Sequence, residues 1–509
     1  MSPILSVVPI IGGLNIGGHR TPFRSLHTRL IIGSEHLIQE WEMLVMAKRK
    51  KSAKKSLTNI QSLDVLEQIN LNAAGLDLGS EEIYACVPPD RDEQSVRVFP
   101  TFTVDLHALA DWLEACGIDT VAMESTGVYW IPIYNILEAR GFEVYLVNAR
   151  HLKNVSGRKT DILDCQWIQQ LHTYGLLRAS FRPPGEIRAL RELARHRGNL
   201  IRYRSAHIQH MQKALEVMNI KLTEVVSDIT GVTGLSIIRA IVVGERDPHK
   251  LASFRQSGCK RSEEEIAKAL QGDYKPEQIF ILRQALTQYD FYLHQIQECD
   301  NQMEEMYTAL PPSDPDSRVS PPPKPKRGKP RKNEAHYDLA TTLYQVVGVD
   351  LTAIDGLDAL TVQTIITEIG LDVDAWPTVK HFTSWLSLAP HNEKSGGKVL
   401  RSRTQKTKNK ANLAFRLAAQ SLSRSQSANG AFYRRMRARH GPAKAITATA
   451  HKLARIVYFM VKNKTAYVDP GVAYYEQQHR DRTIRNLKRR AKALGLELVP
   501  IPVQATAVS

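Results

Sequence analysis

Between Ala74 and Gly175 the chain sets out short apolar runs in an order that few folds accommodate. "AGLDLGS", "EIYACVPP" and "SVRVFPTF" read as three consecutive strands with apolar alternation. "VDLHALADWLEACG" then takes helical spacing and stops at a glycine. "DTVAMEST" reads as a strand, "YWIPIYNILEARG" as a helix, "FEVYLVNA" as a strand and "TDILDCQWIQQLHTYG" as a helix.

Three strands followed by alternating helices and strands is the order of a ribonuclease H-like mixed sheet, although other α/β folds share parts of it. Within that order the acids stand out. Asp77 lies in the middle of the first predicted strand and Glu124 ends the fourth. An acid inside an apolar strand is costly to bury alone, so each needs a partner or an ion. In the ribonuclease H-like arrangement those two strands are neighbours. Asp161 and Asp164, three residues apart, share one face of the following helix. Four carboxylates are then expected at one sheet edge, a set of hard oxygen ligands suited to Mg²⁺ or Mn²⁺. Two such ions about 4 Å apart can clamp the attacking and leaving oxygens of a phosphodiester. The competing reading for the Asp161 and Asp164 pair is a solvated helix surface. "GLDLGS" also suits the phosphate loop of an actin-like sugar kinase, but the second phosphate loop and the Gly-rich adenosine loop of that fold are missing from the sequence.

Charge supplies the partner class. The chain carries a formal +16 with a pI near 9.5, and an excess of Lys and Arg favours a polyanion, nucleic acid first. The longest apolar run, "ILSVVPIIGGLNIGG", is shorter than the roughly 20 residues of a membrane span and is broken by Pro9 and glycines. No membrane partner is expected. Five scattered cysteines without a CxxC pair argue against a zinc site or a disulfide framework and fit a reducing cytoplasm.

"GLDLGS", "MESTGVYW", "VNARHLKNVSGRKTDILDCQWIQQLHTYGLL" and "RPPGEIRALRELARHR" resemble the amino-terminal, RuvC-like domain of the DEDD-type transposases of bacterial insertion sequences, also described as bridge-RNA-guided recombinases. The resemblance covers roughly residues 72 to 220. It implies that Asp77, Glu124, Asp161 and Asp164 form a metal-binding, catalytic tetrad. "LTAIDGLDALTVQTIITEIG" resembles the family's helix-hairpin-helix, with Asp355, Gly356, Leu357 and Asp358 where a Pro-Gly-x-Gly turn is usual. In "PHNEKSGGKVLRSRTQKTKNK" the serine beside the glycines matches Ser395, which the resemblance makes the nucleophile. Asn409 stands where the family commonly has glycine. The resemblance further implies tetramers in which the acidic site of one subunit completes the serine site of another. It also implies a covalent phosphoserine link, strand exchange through a Holliday junction, and a structured non-coding guide RNA.

The residues around Ser395 are chemically coherent with that role. A serine hydroxyl needs activation, Gly396 and Gly397 let a phosphate approach the backbone, and seven Lys or Arg lie between Lys394 and Lys410 without an acid. The bland alternative is a basic loop that merely touches phosphate. Lys394, Lys398, Arg401 and Arg403 are expected DNA contacts, as are Arg158 and Lys159 before the paired aspartates. Arg188, Arg191 and Arg195 open a basic helix that is either a nucleic-acid seat or a solvated face. Trp130, Trp167 and Trp385 read as core; His172, His207 and His210 read as structural or phosphate-contacting.

The expected organisation is a basic extension (1–70), a RuvC-like catalytic domain (71–185) and a helical, coiled-coil arm (186–310). A Pro-rich basic linker (311–335), a mainly helical carboxyl-terminal domain holding the serine (336–470) and a basic tail (471–509) follow. The polar stretch 243–275 reads as an insertion. A Mg²⁺-dependent DNA recombinase acting as a homo-oligomer on double-stranded DNA, cytoplasmic and nucleoid-associated, is the leading expectation. A water-using Holliday-junction nuclease and a catalytically silent nucleic-acid binder are its rivals.

Overall fold

A mixed sheet of five strands organises the first of the two units into which the chain divides, residues 1–180 and 181–509. The computed structural model describes residues 67–125, 127–148, 161–313 and 332–499. Arg158, Lys159, nearly all of the basic extension and most of the Pro-rich linker lie outside the described residues.

Strands β1 (Ala73–Leu78), β2 (Glu82–Cys86) and β3 (Val96–Pro100) run antiparallel to their neighbours, and β4 (Thr120–Glu124) and β5 (Glu143–Val147) continue parallel from β1, in the order β3-β2-β1-β4-β5. This is the mixed sheet expected from the order of runs. β1 is central and covered on both faces, which is why it is apolar almost throughout. Its Ala74, Leu76 and Leu78 join Val121 and Met123 of β4 in one core. That core is closed by Leu109 and Leu113 of α1 (Thr103–Ala115) and by Ile133 and Leu137 of α2 (Trp130–Ala139). On the opposite face Ala122 and Val147 pack against Ile168 and Leu171 of α3 (Asp161–Thr173). Alternation in the strands thus assigns α1 and α2 to one side and α3 to the other.

The second unit is helical apart from one hairpin. Its frame is a pair of long helices, α4 (Gly185–Val217) and α5 (Pro276–Ala309), each about 50 Å long at 1.5 Å per residue. Leu193 lies beside Cys299 and Tyr203 beside Tyr292, so the two run antiparallel. Between them Arg197 donates to both carboxylate oxygens of Asp300 at 2.5 and 3.0 Å, in full burial, and also to the carbonyls of Asn333 and Glu334. At one end of the pair Met211, Leu215, Leu282 and Leu286 share a core with Ile237, Ile241, Leu251 and Ile266. The stretch 243–275 therefore supplies short helices to a small packed cap rather than a polar excursion. At the other end Ile187, Leu190, Met303 and Tyr307 merge with the carboxyl-terminal helices through Leu343, Ile365, Phe415, Leu453 and Tyr458. No helix among the described residues is long and apolar enough to cross a membrane.

His172 of α3 is structural. It is buried, with Nε2 2.8 Å from Thr120 Oγ1 and its ring against Tyr145. Burial pushes the imidazole down from 6.5 to about 4, with Asp119 opposing. The unfolded chain therefore takes up this proton first. The contribution of His172 to stability is complete above about pH 6.5 and is lost as pH falls towards 4. Chemical denaturation at pH 7 and pH 4 should show wild type losing about 2–3 kcal/mol more than His172→Gln. Parallel losses in the two proteins would refute the assignment.

Candidate metal centre and serine hairpin

Three carboxylates meet where α3 crosses β1. One oxygen each of Asp77, Asp161 and Asp164 lie within 4.8 Å of one another. Asp77 and Asp164 are half-buried and Asp161 is exposed, so the cluster is open to solvent on one side. Asp161 and Asp164 occupy the first turn of α3, where the helix dipole favours negative charge. Three hard oxygen donors at this spacing fit a divalent cation, and the donor set contains no sulfur or nitrogen ligand. An acidic cluster of this kind is what a divalent metal ion occupies when bound.

Glu124 is placed differently. Leu76 pairs with Met123, so Asp77 and Glu124 are the next residues on adjacent parallel strands and lie on the same face. Glu124 is half-buried at the end of β4, and its carboxylate is outside the group of three.

The crossing depends on a residue without chemistry of its own. A Cβ on Gly75 would stand 2.4 Å from both the carbonyl oxygen of Cys165 and the backbone nitrogen of Gln169. Gly75, two residues before Asp77 on the same face, is thus what lets the α3 backbone lie directly on β1. Tyr84 stands across from Asp77 in the β1–β2 register. Its phenol is raised above 10, by desolvation first and then by Glu82, Asp161 and Asp77, which reflects the negative charge collected there. Cys86, opposite Gly75, neighbours Cys165 of α3, and both are buried; Cys165 donates to the Ile162 carbonyl at 3.1 Å, and the nearby Cys86 and then burial hold its proton on. Sequence reasoning passed over Gly75, Tyr84 and the two cysteines. Only the small residues at Ala73 and Gly75, alternating on one face, hinted at a close approach.

Ser395 belongs to the second unit, at the end of β6 (His391–Ser395), paired with Lys398 at the start of β7 (Lys398–Arg403). Gly396 and Gly397 form the two-residue turn with φ of 53° and 75°. A turn with both central residues left-handed matches strand twist and is favoured by glycine. The whole ribbon is exposed, and Lys394, Lys398, Arg401 and Arg403 line it; Arg401 makes a 3.7 Å ion pair with Glu393. The sequence places this stretch in a mainly helical domain, and the hairpin is the departure from that expectation. β6 is polar and the two apolar residues of β7, Val399 and Leu400, are adjacent and exposed, so apolar periodicity could not reveal the strands.

The arginines of α4 are only partly available. Arg195 donates through Nε and Nη2 to Glu368 at 3.1 and 2.5 Å, and Glu368 is buried on α6 (Ala359–Ile369). Arg191 is half-buried beside the same carboxylate, and burial lowers its basicity first, with Glu368 opposing. Arg188 is also half-buried. In the turn before α6, Asp355 accepts from Ser425 Oγ and Asp358 caps the helix through the Thr361 backbone nitrogen and hydroxyl. Both acids of this turn are engaged locally. Asn409 caps the helix that follows the hairpin by accepting from the Asn412 nitrogen. Trp385 packs on Trp376 and Phe181, while His207 stacks on Tyr292 and meets His210 edge-on.

Gly75→Ala should displace α3 and separate the carboxylates without altering any of them. Thermal unfolding should show a loss of about 1–3 kcal/mol from overpacking, and DNA cleavage should fall at least tenfold. Gly198→Ala, where an added Cβ meets nothing within 4 Å, should do neither. Normal cleavage by Gly75→Ala would contradict the close-approach reading.

Two family models match the chain. Residues 74–220 match the IS110-type DEDD transposase model, which spans the sheet, α1 to α3 and the whole of α4. Residues 350–434 match the transposase IS116/IS110/IS902 family, which spans α6 and the serine hairpin. No curated protein matches the chain. The two matches, in order on one chain, fall on the acidic cluster and on the hairpin, and they identify a DNA transposase/recombinase. The chain belongs to the IS110 type of transposase.

Proposed function

We propose that this transposase cleaves and rejoins double-stranded DNA through a phosphoserine intermediate, with Asp77, Asp161, Asp164 and Glu124 holding Mg²⁺ and Ser395 as nucleophile. The observation that carries the reading is the meeting of three carboxylate oxygens within 4.8 Å on a rigid strand-helix crossing. Mg²⁺, when bound, would supply charge neutralisation at a phosphate, and Mn²⁺ suits the same ligands. Asp77 is fixed by the sheet, Asp161 and Asp164 by the first turn of α3, and Glu124 would complete the set by a rotamer change at the end of β4.

The serine chemistry is local. Ser395 Oγ attacks phosphorus, a P–Oγ bond forms, the P–O bond to the departing deoxyribose oxygen breaks, and that oxygen leaves with a proton. Religation reverses the step with another DNA hydroxyl. The turn at Gly396 and Gly397 leaves room for a phosphate beside the backbone, and Lys394 and Lys398 flank the serine at the ribbon tip, where they would stabilise charge on the pentavalent phosphorus. A two-stranded basic ribbon also fits the major groove, so Arg401 and Arg403 would continue the contact along the DNA.

The finer assignments belong to the same reading. α4 and α5 form a coiled-coil arm, Arg188, Arg191 and Arg195 contact nucleic acid in balance with Glu368, and Arg158 and Lys159 guide DNA to the cluster. The domain limits are 71–185, 186–310, 311–335 and 336–470, with the extension and the tail outside them. A structured RNA supplies target choice, the working form is a homo-oligomer, and the site of action is the cytoplasm at the nucleoid.

Covalent trapping tests the core of the proposal. Full-length protein, its element's flanking RNA and labelled junction DNA are combined with Mg²⁺ or EDTA and resolved under denaturing conditions. A Mg²⁺-dependent protein–DNA adduct should form and be lost in both Ser395→Ala and Asp161→Asn. Cleavage without an adduct, unaffected by Ser395→Ala, would leave a water-using nuclease and remove the serine from the mechanism.

A further inference from the structure

Beyond the acidic cluster and the hairpin, the second unit carries positive charge that its fold does not use. From Lys394 to Val468, 75 residues, there are 18 Lys and Arg and no Asp or Glu. Within this stretch α7 (Ala428–His440) ends in Arg434, Arg435, Arg437, Arg439 and His440. Beside it lies α8 (Gly471–Ala493), which has seven Lys and Arg against Glu476 and Asp481 and no buried residue. Apolar burial therefore does not explain why this helix is docked.

Rings and cations hold it instead. Tyr475 of α8 meets Phe432 of α7 edge-on at 6.3 Å, the Arg435 guanidinium lies 5.0 Å over Tyr475, and Lys452 Nζ lies 5.1 and 5.4 Å from the two rings. This brings Arg482 of α8 to the end of α7. His479 is made less basic by desolvation first and then by Arg435, Arg482 and Arg439, so these cations gather around one point. Arg434 is spent on the carbonyls of Ser423 and Ser425. Arg437, Arg439, Arg482 and Arg485 are exposed, and among the described residues none of them is ion-paired with a carboxylate.

Cations in a last turn offset the helix dipole, which accounts for α7 alone. It does not account for a second basic helix fixed alongside. Like charges gathered on two rigid elements repel unless an anion joins them. We infer that the last turn of α7 and the exposed face of α8 form a binding surface for the phosphate backbone of duplex DNA, separate from the acidic cluster and from Ser395. Duplex DNA fits better than a single strand. Single-stranded sites offer successive aromatic platforms for stacking, whereas Phe432 and Tyr475 are turned into the helix contact and Tyr474 is the one exposed Phe or Tyr on the two helices. Fixed charges on two helices suit the regular phosphate spacing of a duplex. The inference rests on DNA as the substrate and not on the serine mechanism.

The test is fluorescence anisotropy of full-length protein with a labelled duplex in EDTA across a potassium chloride series, so that no cleavage intervenes. In the combined variant Arg437→Gln, Arg439→Gln, Arg482→Gln, Arg485→Gln, the slope of log K against log salt should become shallower by about 3.6, at about 0.9 per lost contact. Affinity near 0.15 M salt should fall at least ~10-fold. The matching Arg→Lys set should restore both. If the combined variant misfolds by circular dichroism, Arg482→Gln alone should lower the slope by about 0.9. Unchanged slope and affinity would overturn the proposal. So would a loss confined to single-stranded or structured RNA of the same length.

Discussion

The absence of a side chain at Gly75 is the constraint on which the first unit depends. Because nothing projects from β1 there, the backbone of α3 rests on the strand, and the first turn of that helix arrives beside Asp77. Acids that would be costly to bury singly are instead collected at a half-open edge. The helix dipole and solvent limit their repulsion, and a cation can complete them. The rest of the sheet keeps that crossing rigid: Leu76 and Met123 anchor the other face, and His172, locked to Thr120, pins the far end of α3 to β4.

The second unit meets a different demand, holding in place the basic surface of a stretch, Lys394 to Val468, that contains no acid of its own. The solution is a long helix pair tied by one buried ion pair, Arg197 with Asp300, that also fastens the chain at Asn333 and Glu334. A buried pair of this kind is weak as a source of net stability, but removal of either partner leaves an uncompensated charge. It fixes where the chain re-enters the carboxyl-terminal helices. From that frame the serine hairpin projects with every residue exposed. Its geometry is set by the two left-handed glycines rather than by packing.

Legibility in the sequence followed burial. The five strands and α1 to α3 were readable because each has one consistently apolar face, and the long helices because their apolar spacing persists over more than thirty residues. Asp77, Asp161 and Asp164 were readable as a set from their places on those elements. The position of Glu124 outside the closest group was not, since side-chain placement at a strand end is not written in alternation. The hairpin escaped because it has no apolar face: β6 is polar, and Val399 and Leu400 are adjacent in β7 and so point to opposite sides, leaving Gly396 and Gly397 as the signal. Arg191 and Arg195 looked like a solvated or nucleic-acid-facing stripe; their shared partner Glu368 lies more than 170 residues away and is visible only once the chain is folded. The cap formed by 243–275 was missed for the same reason, as its short helices become apolar in sum only when packed on α4 and α5.

The claim that most needs direct measurement is that the three carboxylates act as one ligand set. Titration calorimetry with Mn²⁺, followed by electron paramagnetic resonance of the bound ion, reads this without reference to cleavage. Wild type should bind Mn²⁺ saturably, and Asp77→Asn and Asp164→Asn should each abolish or weaken that binding at least tenfold while retaining the wild-type fold. Equal Mn²⁺ binding by wild type and both variants would contradict the metal centre and return the acids to a solvated helix edge.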